Sequence, residues 1–354
     1  MQLEIPPLKV PASDLRIGIV GAGGIVRAAH LPAYRKAGWR VQAIADAHVE
    51  AARALAAEYD IPVVLDDAVS LVRHPKVDVI DLAIPETGRD AVLAAALECR
   101  KPVLIQKPLA DSFEAARCRV DRFDQAGVPL AVNMNARWAP QFRATRYLIE
   151  QGMLGELFDV RWTMRNYCNF QSWTKDTWYS RERRFQLLNW SIHHLDLFRY
   201  WFAAEPETVF CRTARRPDQR LAGELMASVI LGFASGAQAT LIDSNAATPG
   251  RPVVAEVDLD GTQGSVYTRV SEPRVFFFWS LAERSYEDGE APLHSLALEG
   301  AWYPDGFIGS MGDFLDAIAN GREPQASGRR NLGTLALVDA CYESAARGEV
   351  VRLP

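Results

Sequence analysis

The sequence predicts a two-domain α/β protein. A doubly wound parallel sheet comes first, then an α+β domain whose sheet is mainly antiparallel with helices on one face. Three observations predict this. Leu15–His30 (LRIGIVGAGGIVRAAH) passes from an apolar strand through glycines into a helical pattern. Short apolar runs then alternate with helical stretches as far as Val132, which demands a sheet covered on both faces. From Thr208 to Leu281, strand follows strand across short turns, as antiparallel pairing allows.

The first stretch organises the rest. Leu15, Ile17, Ile19 and Val20 suit a buried strand, and Gly21, Gly23, Gly24 and Ile25 form the turn. Gly21 permits the tight bend and Gly23 lets backbone approach a pyrophosphate. The next helix offers free N–H groups to the anion. Val26 stands where a third glycine is usual, so the fingerprint is partial. Trp39–Ala45 is a second apolar run ending at Asp46, 25 positions after Gly21. An acid there accepts hydrogen bonds from the adenosine ribose. A plainer reading makes Asp46 the cap of the next helix. Ala47 and His48 supply neither arginine nor serine for a ribose phosphate, so NAD is expected rather than NADP.

Val49–Tyr59 reads as a helix, Ile61–Val64 as a strand and Asp66–Arg73 as a short helix. Val77–Ile84 is a strongly apolar strand that stops at Pro85. Asp90–Glu98 is helical, and Pro102–Ile105 is a strand running into Gln106-Lys107-Pro108. Asp111 or Ser112 caps a helix to Ala126, and Pro129–Val132 is the sixth strand. Ligands of such sheets lie beyond the carboxyl ends of the strands. Gly21–Gly24, Asp46, Ile84-Pro85 and Gln106–Pro108 therefore fall along one edge. Lys107 at a strand end is either a site cation or an ordinary surface lysine.

Length and composition bound the rest. The 354 residues leave room for two domains, divided at 133/134 into a dinucleotide-binding part (1–133) and an α+β part (134–354). The net charge of −5 does not suggest a nucleic-acid surface. No apolar stretch is long enough for a membrane span, and Met1–Pro11 lacks the features of a signal peptide. Five scattered cysteines without a CxxC pair indicate neither disulfides nor a metal site. A cytoplasmic location is expected.

Together, GxGGI, Asp46, Ile84-Pro85, Gln106-Lys107-Pro108 and Asn135-Ala136-Arg137-Trp138-Ala139-Pro140 resemble the glucose–fructose oxidoreductase / inositol dehydrogenase (Gfo/Idh/MocA) family. The resemblance covers essentially the whole chain, including Trp302–Asp305 through Ser344. The family's usual triplet is Glu-Lys-Pro, and Gln106 replaces its first residue. Arg89 stands where the family often has a histidine.

In the second part, Gln141–Gln151 reads as a helix and Glu156–Asn166 as a strand. Tyr167–Arg184 is crowded with Phe170, Trp173, Trp178, Tyr179 and arginines. A sugar-stacking wall, a subunit contact and ordinary core all fit it. Phe185–Trp201 reads as one helix, with Asn189 and His193 four apart on one face. The family pattern there is Asp-x-Gly-x-His-x-x-Asp. On it His193 matches the catalytic histidine and Asp196 the final acid, while Asn189 and Ser191 depart from it. A hydrogen-bonded structural pair of histidines is the bland alternative, with His194 as neighbour. Asp305–Asn320 and Arg329–Arg347 close the chain as helices.

The resemblance implies an NAD-dependent oxidoreductase acting on a hydroxyl of a sugar, cyclic polyol or related compound. Lys107, His193 and Asn189 would form its catalytic set, with Asn135, Arg137, Trp138 and Arg165 as further substrate contacts and no metal. A homodimer or homotetramer through the C-terminal sheet is expected. Two alternatives stay open: a catalytically silent NAD-binding regulator, and a reductive or redox-neutral enzyme with tightly held cofactor.

Overall fold

The computed structural model describes residues 4–168, 174–175, 177–250, 252–279 and 293–353. It divides into two compact units. One comprises Pro7–Ala139 with Ala301–Leu332, the other Met1–Pro6, Pro140–Gly300 and Gly333–Pro354. The division at 133/134 read from the sequence differs from these units: the first runs on to Ala139 and takes back Ala301–Leu332, while Met1–Pro6 falls in the second.

The first unit is a six-stranded parallel sheet. Its strands are β1 (Ile17–Val20), β2 (Val41–Ala45), β3 (Val63–Leu65), β4 (Val79–Leu82), β5 (Val103–Gln106) and β6 (Leu130–Asn133), in the order β3-β2-β1-β4-β5-β6. Strands β1, β4 and β6 are buried at every residue, which is why they read as apolar runs broken only by Asp81 and the closing Asn133. In β2 only Val41, at its mouth, is part-exposed. The helices are α1 (Leu31–Ala37), α2 (Val49–Tyr59), α3 (Ala68–Arg73), α4 (Arg89–Glu98) and α5 (Phe113–Ala126). Ser112 caps α5, its side chain accepting from the Ala115 N–H at 3.3 Å. Strand order reverses between β1 and β4, the place where doubly wound sheets bind ligands.

The helix Trp302–Asn320 completes this core. Phe307, Met311, Phe314 and Leu315 are buried in one cluster with Ile17, Ile19, Tyr34 and Trp39. A polar group sits inside the same core. His30 Nδ1 and the Tyr34 hydroxyl both meet Asp81 Oδ2, at 2.6 and 2.7 Å, with all three side chains buried. Burial and the Asp81 carboxylate hold the Tyr34 phenol well above its usual range.

The second unit contains α6 (Pro140–Glu150), β7 (Leu157–Arg165), the short α7 (Trp178–Arg181) and α8 (Ile192–Phe202). Its remaining strands are β8 (Thr208–Ala214), β9 (Met226–Gly232), β10 (Gln238–Ser244), β11 (Val254–Gly261), β12 (Gly264–Arg269), β13 (Arg274–Trp279), β14 (Leu293–Ala297) and β15 (Val351–Arg352). Helix α9 (Trp302–Asn320) belongs to the first unit, and the unit boundary falls inside the last helix, α10 (Gly328–Arg347). The sheet order is β14-β13-β12-β11-β7-β10-β9-β8-β15. All neighbours are antiparallel except β7 and β10, which run parallel because the chain leaves β7 through α8 before returning. On the covered face Trp162 of β7 packs against Phe142 and Trp201, ring centroids 5.1 and 6.4 Å away. Phe158, Ile230 and Ile242 on the sheet are exposed. Of the aromatic stretch, Phe170 and Trp173 lie outside the described residues. Trp178 is exposed and stacks on Tyr179, which packs on the small core of Cys168, Phe185, Leu221 and Leu225.

Among the described residues no helix is long and apolar enough to cross a membrane.

Candidate active site

The site begins where backbone geometry leaves least choice. Gly21 has φ +114°, and a Cβ there would lie 2.5 Å from the Ala83 carbonyl oxygen. Only glycine fits. A Cβ on Gly23 or Gly24 would meet nothing within 4 Å, so open space faces the start of the helix that runs from Gly24. The leading N–H groups of a helix have no carbonyl of their own. Ile25 is half-buried at the margin of the core, and Val26, in place of the third glycine, is fully buried in it.

Asp46 is tied to this turn. Its Oδ2 accepts from the Ala22 N–H at 2.7 Å and its Oδ1 from the His48 N–H at 2.8 Å. It does not cap α2, whose N-cap is His48. Each carboxylate oxygen can accept a second hydrogen bond, which suits a ribose diol.

At the other strand ends, Ile84 is half-buried and Pro85 exposed. Gln106 and Asn133 are register partners closing β5 and β6. The Gln106 carboxamide oxygen and both polar atoms of the buried Asn133 make no hydrogen bond among the described residues. Buried polar atoms without partners at a sheet's carboxyl edge fit a polar ligand. These orphaned atoms and the open cradle at Gly23–Gly24 fit a dinucleotide. Lys107 comes directly after Gln106 and is half-buried. Burial, and then the nearby Arg89 guanidinium, pull its ammonium down to about 8.

Three further residues singled out in the sequence lie on the helical turn Asn135–Trp138. Asn135 Oδ1 accepts from Trp302 Nε1 at 2.7 Å, and Arg137 Nη1 donates to the Gln325 carbonyl at 2.7 Å. Trp138 lies so close to Gly309 that a Cβ there would fall 2.2 Å from its ring. All three are engaged by the segment that returns late in the chain.

In the second unit, the stretch read as one helix opens with a π turn, Gln186–Ser191, before α8. A π turn shifts the phase of the helix after it, so four-residue spacing alone does not put Asn189 and His193 on one face. Both are buried, and Asn189 Nδ2 donates to the Arg184 carbonyl at 3.4 Å. Asp243 of β10 anchors the junction. It accepts from Ser191 Oγ at 2.7 Å and stands 3.2 Å from His194 Nδ1. Trp162 stacks on the His194 ring, centroids 4.0 Å apart. Ser191, where the family pattern has glycine, thus has a bonding role of its own. Asp196 accepts from Thr334 Oγ1 at 2.9 Å and joins α8 to α10. Arg165, at the end of β7, makes no side-chain hydrogen bond or ion pair among the described residues.

Asp243 and Asn133 were missed in the sequence. Asn133 had a signal, because it ends a strand on the ligand edge. Asp243 had none, since nothing local links it to Ser191.

A glycine turn, an acid at the end of β2 and orphaned carboxamides at the carboxyl ends of β5 and β6 are the features of a dinucleotide-binding protein of doubly wound fold. The family described as "Oxidoreductase family, NAD-binding Rossmann fold" matches residues 15–134, and "GFO/IDH/MocA C-terminal domain" matches residues 142–267. The chain belongs to the Gfo/Idh/MocA family. It is 29% identical to D-apiose dehydrogenase of Paraburkholderia graminis over 95% of this chain and 88% of that protein. It is 28% identical to inositol 2-dehydrogenase of Rhizobium meliloti over 94% of this chain and 97% of the relative. An Agrobacterium radiobacter oxidoreductase, crystallised with NAD+, L-tartaric acid and magnesium, superposes with a TM-score of 0.82 at 26% identity. That likeness covers 96% of this chain and 98% of the other.

Proposed function

We propose that the chain is an NAD-dependent dehydrogenase that oxidises a secondary alcohol or hemiacetal of a sugar or cyclic polyol. The observation that carries this is Lys107, a half-buried lysine at the carboxyl end of β5 whose ammonium is brought down to about 8. That places its charge change within reach of neutral solution, as proton-handling groups require. The names of the relatives, D-apiose and inositol dehydrogenases, support the substrate class.

Gly21, Gly23, Gly24 and Ile25 would hold the pyrophosphate, and Asp46 the adenosine ribose. Ile84, Pro85 and Gln106 would border the nicotinamide, which, when bound, supplies hydride acceptance. Asp46 also opposes a 2′-phosphate, so NAD is preferred to NADP. His193 takes the hydroxyl proton, the Lys107 ammonium binds the reacting oxygen, and Asn189 orients. Arg165 is the cation we assign to a polar substrate group. Asn135, Arg137 and Trp138 support the pocket wall, since each is already engaged. We also propose that the sheet face carrying Phe158, Ile230 and Ile242 pairs with a second copy in a homodimer or homotetramer.

The test is purified protein with NAD+ and a panel of D-apiose, myo-inositol, other sugars, aldonates and lactones, with NADH absorbance as the readout. NADH formation with a sugar or polyol is expected. Nicotinamide retained through purification without net NADH would indicate a redox-neutral enzyme. No turnover on any compound, despite NAD binding, would indicate a silent regulator.

A further inference from the structure

We propose that Arg89 is the positioning residue of the nicotinamide end, tying the strand ends around Lys107 into one turn of fixed shape. The proposal rests on the dehydrogenase reading above. Arg89 opens α4, and its side chain is only 4% exposed. Nε donates to the Ile84 carbonyl at 2.9 Å and Nη2 to the Gln106 carbonyl at 3.0 Å, while Nη1 donates to the Pro108 carbonyl. One side chain thus joins the end of β4 to carbonyls on both sides of Lys107.

A second arginine extends the clamp. Arg119 of α5 donates to the Leu109 carbonyl at 2.8 Å. Both arginines share Glu86, at 3.4 Å from Arg89 Nη1 and 2.5 Å from Arg119 Nη2, and Arg119 also reaches Asp90 at 2.9 Å. Of the four carbonyls in Gln106–Leu109, those of residues 106, 108 and 109 are held by guanidinium groups. A guanidinium has five donors in a rigid planar fork, and three of its nitrogens here reach three divergent acceptors. A lysine brings its donors to one point and cannot span them. The same buried charge beside Lys107 favours its neutral form.

The consequence is local to one end of the cofactor. Ile84 and Gln106 border the nicotinamide in our reading, whereas Gly21–Ile25 and Asp46 serve the adenosine and pyrophosphate. Losing the fork should therefore affect NADH and spare ADP-ribose, which lacks nicotinamide. Displacements of about 1 Å at a reacting centre can cost on the order of a hundredfold; for binding we expect less.

The experiment measures Kd for NADH and for ADP-ribose by calorimetry on native, Arg89→Lys and Arg89→Gln proteins, with melting curves for each. Arg89→Lys should weaken NADH about tenfold and leave ADP-ribose within about twofold, a selective loss of about 1.4 kcal/mol. Arg89→Gln should show the same selectivity. Equal weakening of both ligands, or of neither, overturns the proposal. Loss of a cooperative melt in both variants assigns Arg89 to stability alone and also overturns it. A native protein that binds neither ligand instead overturns the dehydrogenase reading.

Discussion

The glycine turn of the first unit and the entry to α8 in the second are both proposed site elements, built in opposite ways. The turn is local and made of backbone. Gly21 bends it, and Asp46 closes it by accepting from Ala22, 24 residues away. The entry to α8 is made of side chains from distant sequence. Ser191 reaches Asp243 across 52 residues, and His194 is held between that carboxylate and Trp162. The difference teaches where each task can be read. Binding an anion by N–H groups needs only a chain shape, which glycines and strand ends announce. Moving a proton needs particular groups in a particular setting, which comes from packing.

If this division holds, substitutions on the two sides should separate binding from turnover. The largest separation is expected at Lys107. Lys107→Ala should lower kcat by about 10²–10⁴-fold while leaving the NAD Kd near native. Steady-state kinetics beside calorimetry check this, and a parallel loss of affinity would break the comparison. The lowered ammonium sets the sign of the pH effect. Its charged form is lost as pH rises through about 8, so alcohol oxidation that depends on it should decline above that pH. In Lys107→Arg the residual activity should keep no such limb.

A smaller effect, on binding alone, is expected at the turn. Asp46→Ala removes the proposed ribose acceptor and frees the Ala22 and His48 N–H groups. NAD affinity should fall about tenfold, about the lower end of what one hydrogen bond to a charged group is worth. The gap to NADP should narrow, with kcat at saturating cofactor little changed. Competition binding with the two cofactors measures it. A native protein that prefers NADP would refute the role.

The smallest effect sharpens the second half of the comparison. Asn189→Asp adds a carboxylate in the π turn before His193. A carboxylate facing the imidazole favours its protonated form, and His193 must be neutral to accept a proton. The acid limb of kcat/KM should move to higher pH by about one unit or less, with NAD affinity unchanged. A profile superimposable on the native one would mean that the phase shift of the π turn carries Asn189 away from His193.

Much of this was legible in the sequence, and the reasons are physical. The buried strands of the first sheet read as apolar runs because both faces are covered. Gly21 was legible because no other residue tolerates its φ with Ala83 so close. The π turn was not, since Gln186–Ser191 carries no local signal that distinguishes it from a regular helix. Nor was the clamp at Arg89, whose three acceptors are backbone carbonyls and so leave no trace in residue type. The buried His30–Asp81–Tyr34 group was hidden as well, because its members come from separate elements. The parallel pairing of β7 with β10 was masked by a run of strands that otherwise suits hairpins.

The late return of α9 to the first unit has a consequence for synthesis. Ile17, Ile19, Tyr34 and Trp39 emerge early, but their covering residues Phe307, Met311, Phe314 and Leu315 lie near the other end of the chain. Ribosomes add about 5–20 residues per second, so the nascent sheet waits on the order of ten seconds or more for its lid of apolar side chains. Through that interval an oily surface is presented to the cell. The first unit to be translated is thus completed only when nearly all of the second has been made, so the yield of folded protein is expected to depend on the pace of translation.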